Sequence, residues 1–234
     1  MYYSIDIETT GLDPDRHDIL EVGIIQDDLS LEDDLLLNLL NNSVDNRPCF
    51  RAVIVQPTGD YNTTPFCANM HKDLWDEIKL VEQWMFSSNW EEDTIEWPTF
   101  GEVSLLTEGV VWCESNRTHY CTPQTLGWAI KEWLASHGEE VKNGRARITV
   151  AGKNFSSFDR QFLENDFHRV HEDVEFRHRS IDPGSMYMTK DDTTPPGMDE
   201  CLKRAGIEPI PELQHRALYD AYDVVRLVRC KLLA

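Results

Sequence analysis

An α/β fold is what this sequence predicts: a mixed sheet of five strands, an antiparallel meander followed by parallel strands, flanked by helices and carrying an inserted subdomain. Three observations predict it. Apolar residues alternate over three short segments in the first part of the chain, with no crossover helix between them. The later half instead alternates strand-like and helix-like segments, which is the pattern of parallel pairing. Between the two lies a stretch of tryptophans among acidic and polar residues, broken by Pro98 and Gly101.

The elements follow in order. Residues 2–8, 19–26 and 50–55 read as strands, with Gly11-Leu12-Asp13-Pro14-Asp15 as turn chemistry between the first two. Residues 28–48 run from acidic to Leu-rich to Asn-rich and fit a strand extension or a short helix equally. Residues 70–86 read as a helix. Residues 87–123 read as an insertion within a single domain spanning 1–234. Its tryptophans suit a small satellite core, with base stacking as the competing reading. A helix follows over 124–137, carrying Leu126, Ala129, Ile130, Trp133 and Leu134 on one face. Then come a strand at 148–151, a helix at 155–168, a strand at 176–181 and a final helix at 216–233.

Composition limits the function. The chain has 234 residues and a formal net charge of −20. Affinity for long polyanions comes largely from Lys and Arg, so the charge argues against a broad nucleic-acid-binding surface. It does not argue against a nuclease with locally supplied cations, whose acidic surface would disfavour long duplexes and tolerate short single strands. No run of about 18 apolar residues occurs, so no membrane partner is expected. The N-terminus starts directly with strand-like sequence, without a basic-then-apolar leader. The six cysteines are scattered, with no Cys-x-x-Cys pair. Both features lead to the expectation of a cytoplasmic protein with reduced thiols. Cys113, His119 and Cys121 match no common zinc spacing.

Asp6 and Glu8 stand two apart on the first strand, so both project from one face. Two neighbouring carboxylates repel each other and are costly to bury, and a divalent cation is the natural remedy. Asp159 falls three and four residues before Phe162 and Leu163, and four after Phe155. On a helix it interrupts an apolar face, where an acid wants a partner. Asp220 repeats the pattern among Ala217, Val224 and Leu227. His215 precedes it by five residues. Beside a metal-binding carboxylate, its imidazole is a candidate general base near neutral pH.

Asp6-x-Glu8, then Asn154-x-x-x-Phe158-Asp159 with Phe162-Leu163, then His215-x-Ala217-x-x-Asp220 resemble the three motifs of the DEDDh 3′→5′ exonucleases, a group with an RNase H-like fold. His215 resembles the histidine branch of that group. The resemblance covers roughly 1–27, 50–78 and 124–234. Ala151-Gly152-Lys153-Asn154 and Phe176–Asp182 look most like oligoribonuclease. The resemblance implies hydrolysis with two Mg²⁺ or Mn²⁺ ions roughly 3.5–4 Å apart. It implies that Asp6 bridges both ions and that Glu8 and Asp220 complete one site. Asp159 would ligate directly or through water, and His215 would deprotonate the attacking water. It further implies substrate contacts from Leu12, as a wedge against the terminal base, from Met70 and His71 as a second wall, and from Asn154. The implied partners are 3′ ends of single-stranded RNA or DNA, and a homodimer is open.

The leading expectation is therefore a 3′→5′ exonuclease that releases 5′-mononucleotides from short single strands, with RNA preferred. A DNA-proofreading or DNA-trimming enzyme is the alternative within the class. A non-catalytic RNase H-like binding module is the alternative outside it, and loss of a motif carboxylate would be its mark.

Overall fold

A computed structural model describes residues 1–30, 47–86, 94–97, 101–107, 109–168, 173–209 and 215–233, with backbone alone for 94–97, 101–103 and 167–168. Three strands open the chain: β1 (Tyr2–Thr9), β2 (Ile19–Asp27) and β3 (Cys49–Ile54). They pair antiparallel, β1 with β2 and β2 with β3. Two helices follow, α1 (Pro65–Met70) and α2 (Lys72–Met85). The next strands are β4 (Thr94–Trp97), β5 (Gly101–Thr107), β6 (Val110–Cys113) and β7 (Thr118–Cys121). Helix α3 (Leu126–Ser136) leads to β8 (Val141–Lys142), β9 (Arg145–Ile148) and β10 (Val150–Ala151). A 3₁₀ turn (Phe155–Ser157) precedes α4 (Asp159–His168) and β11 (Val174–Phe176). The chain closes with α5 (Pro183–Met186), α6 (Met198–Ala205) and α7 (Ala217–Leu232).

The fold is the expected mixed α/β arrangement, with one extension. The main sheet runs β10-β1-β2-β3-β7-β6-β5-β4. Its first five members form the meander-plus-parallel unit, because β10 is parallel to β1 and β7 is parallel to β3. The other three come from the stretch read as an insertion, and they lengthen the sheet to eight strands instead of making a separate body. Residues 118–121, placed in the insertion by sequence, belong to the five-stranded unit. β9 joins β8 and β11 in a second sheet, so the segment read as one strand over 148–151 is divided between two sheets. The strand read at 176–181 is shorter, ending at Phe176, with Ile181 forming only a bridge to Ala151. The undecided segment 28–48 lies mostly outside the described residues.

Alternation along β1 decides which side chains meet which helix. Tyr3, Ile5 and Ile7 point to the core beneath α3, against Val22, Ile24, Ile54, Ile130 and Leu134. Tyr2, Ser4, Asp6 and Glu8 point the other way, toward α7. There Ser4 Oγ donates to the Ala221 carbonyl at 2.7 Å. On the same side, Val53 and Val55 pack against Leu74, Ile78 and Val81 of α2. The acids thus sit on the face shared by α2 and α7. Among the described residues, no helix is long and apolar enough to cross a membrane.

Candidate active site

Asp6 and Glu8 stand on β1 opposite Gly23 and Glu21 of β2. Gly23 lets α7 lie directly on the sheet. A Cβ there would come within 2.2 Å of the Leu218 nitrogen and 2.3 Å of the Ala217 carbonyl carbon. No side chain of a neighbour can yield to relieve that contact, since both atoms are backbone. The first turn of α7 carries Asp220, so this close approach brings Asp220 to the acids of β1. His215 lies just before the helix, exposed, with a left-handed φ of 62°. Such a φ is uncommon for a non-glycine residue and clusters at functional sites.

Asp159 arrives from the far edge of β1. β10 pairs only with Tyr3 and Ser4. Beyond them the strand edge is open, and the Ile7 N–H donates to Asp159 Oδ1 at 3.2 Å. The helix read over 155–168 is broken at Phe158 (φ −131°, ψ −80°). Asp159 is therefore the first residue of α4, with Phe162 and Leu163 buried behind it. Its spacing from Phe155 is not helical, whereas its spacing to Phe162 and Leu163 is.

The electrostatics are those of crowded anions. Burial raises the Asp6 carboxyl well above the usual range, and Asp159, Asp220, Glu8 and Glu21 raise it further. Burial and the charges of Asp220, Glu21 and Asp159 push Glu8 up to about 9, against a lowering by Arg216. Asp159 is pushed up to about 7 by burial, against hydrogen bonds from its own N–H and that of Ile7. Asp220 is pushed up to about 7 by burial and by Asp223, against the His215 N–H. Ligand atoms of Glu8, His215 and Asp220 lie within 4.8 Å of one another. The donor set fits a divalent cation, because added positive charge is what these carboxyls need in order to ionise together.

The remaining sequence candidates fall in different places. Leu12 is 81% exposed, just past the end of β1. Met70 ends α1, half-buried. His71 is the residue between α1 and α2 and is buried, with Nε2 at 3.5 Å from Glu8 Oε2. The helix read over 70–86 is α2, and the short α1, which was not read from sequence, meets it at this histidine. Asn154 is exposed at a left-handed φ of 60°, and its Oδ1 accepts from Lys153 Nζ at 2.7 Å. Its carbonyl accepts from the Ser157 and Phe158 N–H groups, which sets the turn before Asp159.

Three further residues, two of them beside the acids and one on the segment tied to the Leu12 loop, were not singled out from sequence. Glu21, buried in β2, accepts from the Ala217 N–H at 3.0 Å and from Arg51 Nε at 2.5 Å. Arg216 bears on both Glu8 and His71. Phe66 on α1 is 73% exposed. Its segment is tied to the Leu12 loop by the Thr64 N–H, which donates to the Thr10 carbonyl. The Glu8–Glu21 cross-strand pair was open to discovery from the period of two on both strands. The other two carry no local signal.

In the former insertion, Cys113 pairs with Thr118 and Cys121 with Val110, so the two thiols stand at opposite ends of the β6–β7 hairpin. His119 is stacked on Phe50 and tilted against Trp112. These three residues form no metal cluster. Trp112 also donates Nε1–H to Glu114, a packing role.

No protein-family model and no curated protein matches this chain. Solved structures do. One of exonuclease I aligns over 99% of this chain and 41% of its own, at 14% identity with a TM-score of 0.51. Another, E. coli exonuclease I in complex with a dT13 oligonucleotide, aligns over 98% of this chain and 41% of its own, at 16% identity and 0.50. The fold is RNase H-like. At this level of identity the likeness is one of fold, and the chain spans about two fifths of the length of those proteins.

Proposed function

We propose that this protein is a metal-dependent 3′→5′ exonuclease acting on short single-stranded nucleic acid, RNA preferred, and releasing 5′-mononucleotides. The observation that carries the reading is the meeting of Asp6, Glu8, Asp159 and Asp220, from three separate segments, with His215 beside them. Asp6, Glu8, Asp159 and Asp220 would hold two Mg²⁺ or Mn²⁺ ions, for which oxygen-rich ligation is suited. When bound, such ions activate water and stabilise the charge of the leaving oxygen. His215 takes the proton from the attacking water and, being exposed, passes it to solvent. Leu12 separates the terminal base from its neighbour and Met70 lines the opposite wall, whereas His71 is too buried to share in it. Asn154 shapes the rim near Asp159.

A net charge of −20 offers little counterion release to phosphates outside the pocket. That supports short substrates. An unpaired end suits the Leu12 wedge, since opening a duplex end costs a few kcal/mol. Single-stranded DNA is the second reading, favoured by the fold shared with E. coli exonuclease I, whose structure holds a dT13 oligonucleotide. Retention of all the motif carboxylates weighs against a non-catalytic module.

The test is Mg²⁺-dependent release of 5′-mononucleotides from 5′-labelled RNA and DNA, from dinucleotide to long single strand and duplex, at fixed low salt. Stepwise shortening from the 3′ end, fastest on short RNA, is expected. Faster digestion of duplex DNA, or rates rising steadily with length, would move the protein to the DNA-trimming reading. No release on any substrate would return it to a binding module.

A further inference from the structure

His71 is 3% exposed, and neither ring nitrogen has a hydrogen-bond partner among the described residues. The backbone of His71 is fully used. Its N–H donates to the Cys67 carbonyl, and its carbonyl accepts from the Trp75 N–H. The ring takes no part in this, because it makes no capping bond to α2. The junction of α1 and α2 therefore needs a residue here but not an imidazole. Burying two polar nitrogens without partners costs stability, and nothing in the junction offsets that cost.

The ring faces the acidic cluster instead. Its Nε2 lies 3.5 Å from Glu8 Oε2, in a geometry short of a hydrogen bond. Glu8 is one of the three groups whose ligand atoms lie within 4.8 Å of one another. Catalytic hydrogen bonds are often long in the unliganded state and tighten in the complex. Carboxylates that bind a metal are themselves held by a second layer of donors.

We propose that His71 is a positioning residue for Glu8, whose Nε2–H fixes the carboxylate so that Glu8 and Asp220 converge on one cation. This rests on the reading of these acids as metal ligands. It differs from a wall of the nucleotide pocket in acting through Glu8, before any substrate is present.

The experiment compares wild type, His71→Leu and His71→Gln by Mn²⁺ titration, thermal melting and turnover on a labelled short oligomer. Leu removes the donor, whereas Gln places an amide N–H at similar reach. His71→Leu should melt at or above the wild-type temperature and bind Mn²⁺ about 10–100-fold more weakly, the usual cost of losing such a donor. His71→Gln should recover most of that affinity. Wild-type Mn²⁺ affinity in His71→Leu, or no recovery in His71→Gln, would overturn the proposal. So would a His71→Leu protein that fails to fold, since the ring would then be structural. A wild-type protein that binds no Mn²⁺ would overturn the metal-site reading itself, and this proposal with it.

Discussion

The carboxylate of Glu21 on β2 accepts the backbone N–H of Ala217, the first residue of α7, at 3.0 Å. Arg216, at the cap position of that helix, makes no side-chain capping bond. A buried acid from a neighbouring strand therefore does the work of an N-cap and complements the positive end of the helix. The same carboxylate accepts from Arg51 Nε, and Arg51 forks onto both oxygens of Glu77 at 2.9 Å. This network pins the start of α7, and with it Asp220, to the strand that faces Glu8.

Breaking that network should be costly. Glu21→Leu leaves Arg51 short of a counter-charge and the Ala217 N–H without its acceptor. A loss of about 1–3 kcal/mol is expected, the cost of a buried donor left without its acceptor, since Arg51 keeps its fork onto Glu77. Glu21→Gln keeps an acceptor and should lose less. Urea unfolding of the two variants measures the difference, and equal losses would mean that charge alone matters.

The acids themselves should behave oppositely. Asp6→Ala or Asp220→Ala should abolish hydrolysis while leaving the metal-free protein as stable as wild type, or slightly more so. Each removes one charge from a group of mutually repelling anions. Full activity in either variant would remove the metal-site assignment.

The raised carboxyl groups set a pH dependence of known sign. Glu8, Asp159 and Asp220 titrate higher in the folded protein, near 9, 7 and 7, than in the unfolded chain. Between the unfolded values near 4 and these folded values the folded state holds more protons, so stability is full below about pH 4, falls as pH rises to about 7, and falls more gently from there to about 9, where Glu8 alone still titrates. Thermal midpoints in EDTA should therefore decline from pH 5 to pH 9, and Mg²⁺ should restore most of the loss at the upper end. A midpoint that climbs with pH in EDTA would contradict the crowded-anion account.

His215→Asn should lower turnover by about 10²–10⁴-fold, the usual contribution of a general base. Its effect on Mn²⁺ affinity should be far smaller. A matching collapse of affinity would make His215 a ligand instead, a role its nearness to Glu8 and Asp220 allows.

Much of this was legible in the sequence because it depends on local period. Asp6 and Glu8 share a face because strand side chains repeat every two residues, and the tertiary structure only chose which helix that face meets. Asp220 and its apolar neighbours follow from the helical repeat in the same way. Asp159 was legible only in part: its spacing to Phe162 and Leu163 held, but the break at Phe158 removed Phe155 from that face. Contacts between distant segments left no such trace. The insertion revealed its strands only by pairing with the sheet edge, since a short strand gains its hydrogen bonds from a neighbour that local sequence does not specify. Gly23 reads as an ordinary residue in an apolar run until α7 is seen lying on it. Glu21 is one polar residue among many until burial shows it bound to a helix start, and His71, singled out by resemblance as a pocket wall, is seen only in the structure to face Glu8 without a hydrogen bond. Sequence by itself determined the side-chain directions and the order of the acids. Only the tertiary structure decided their second layer of neighbours, because burial and partnering are properties of the whole packed chain.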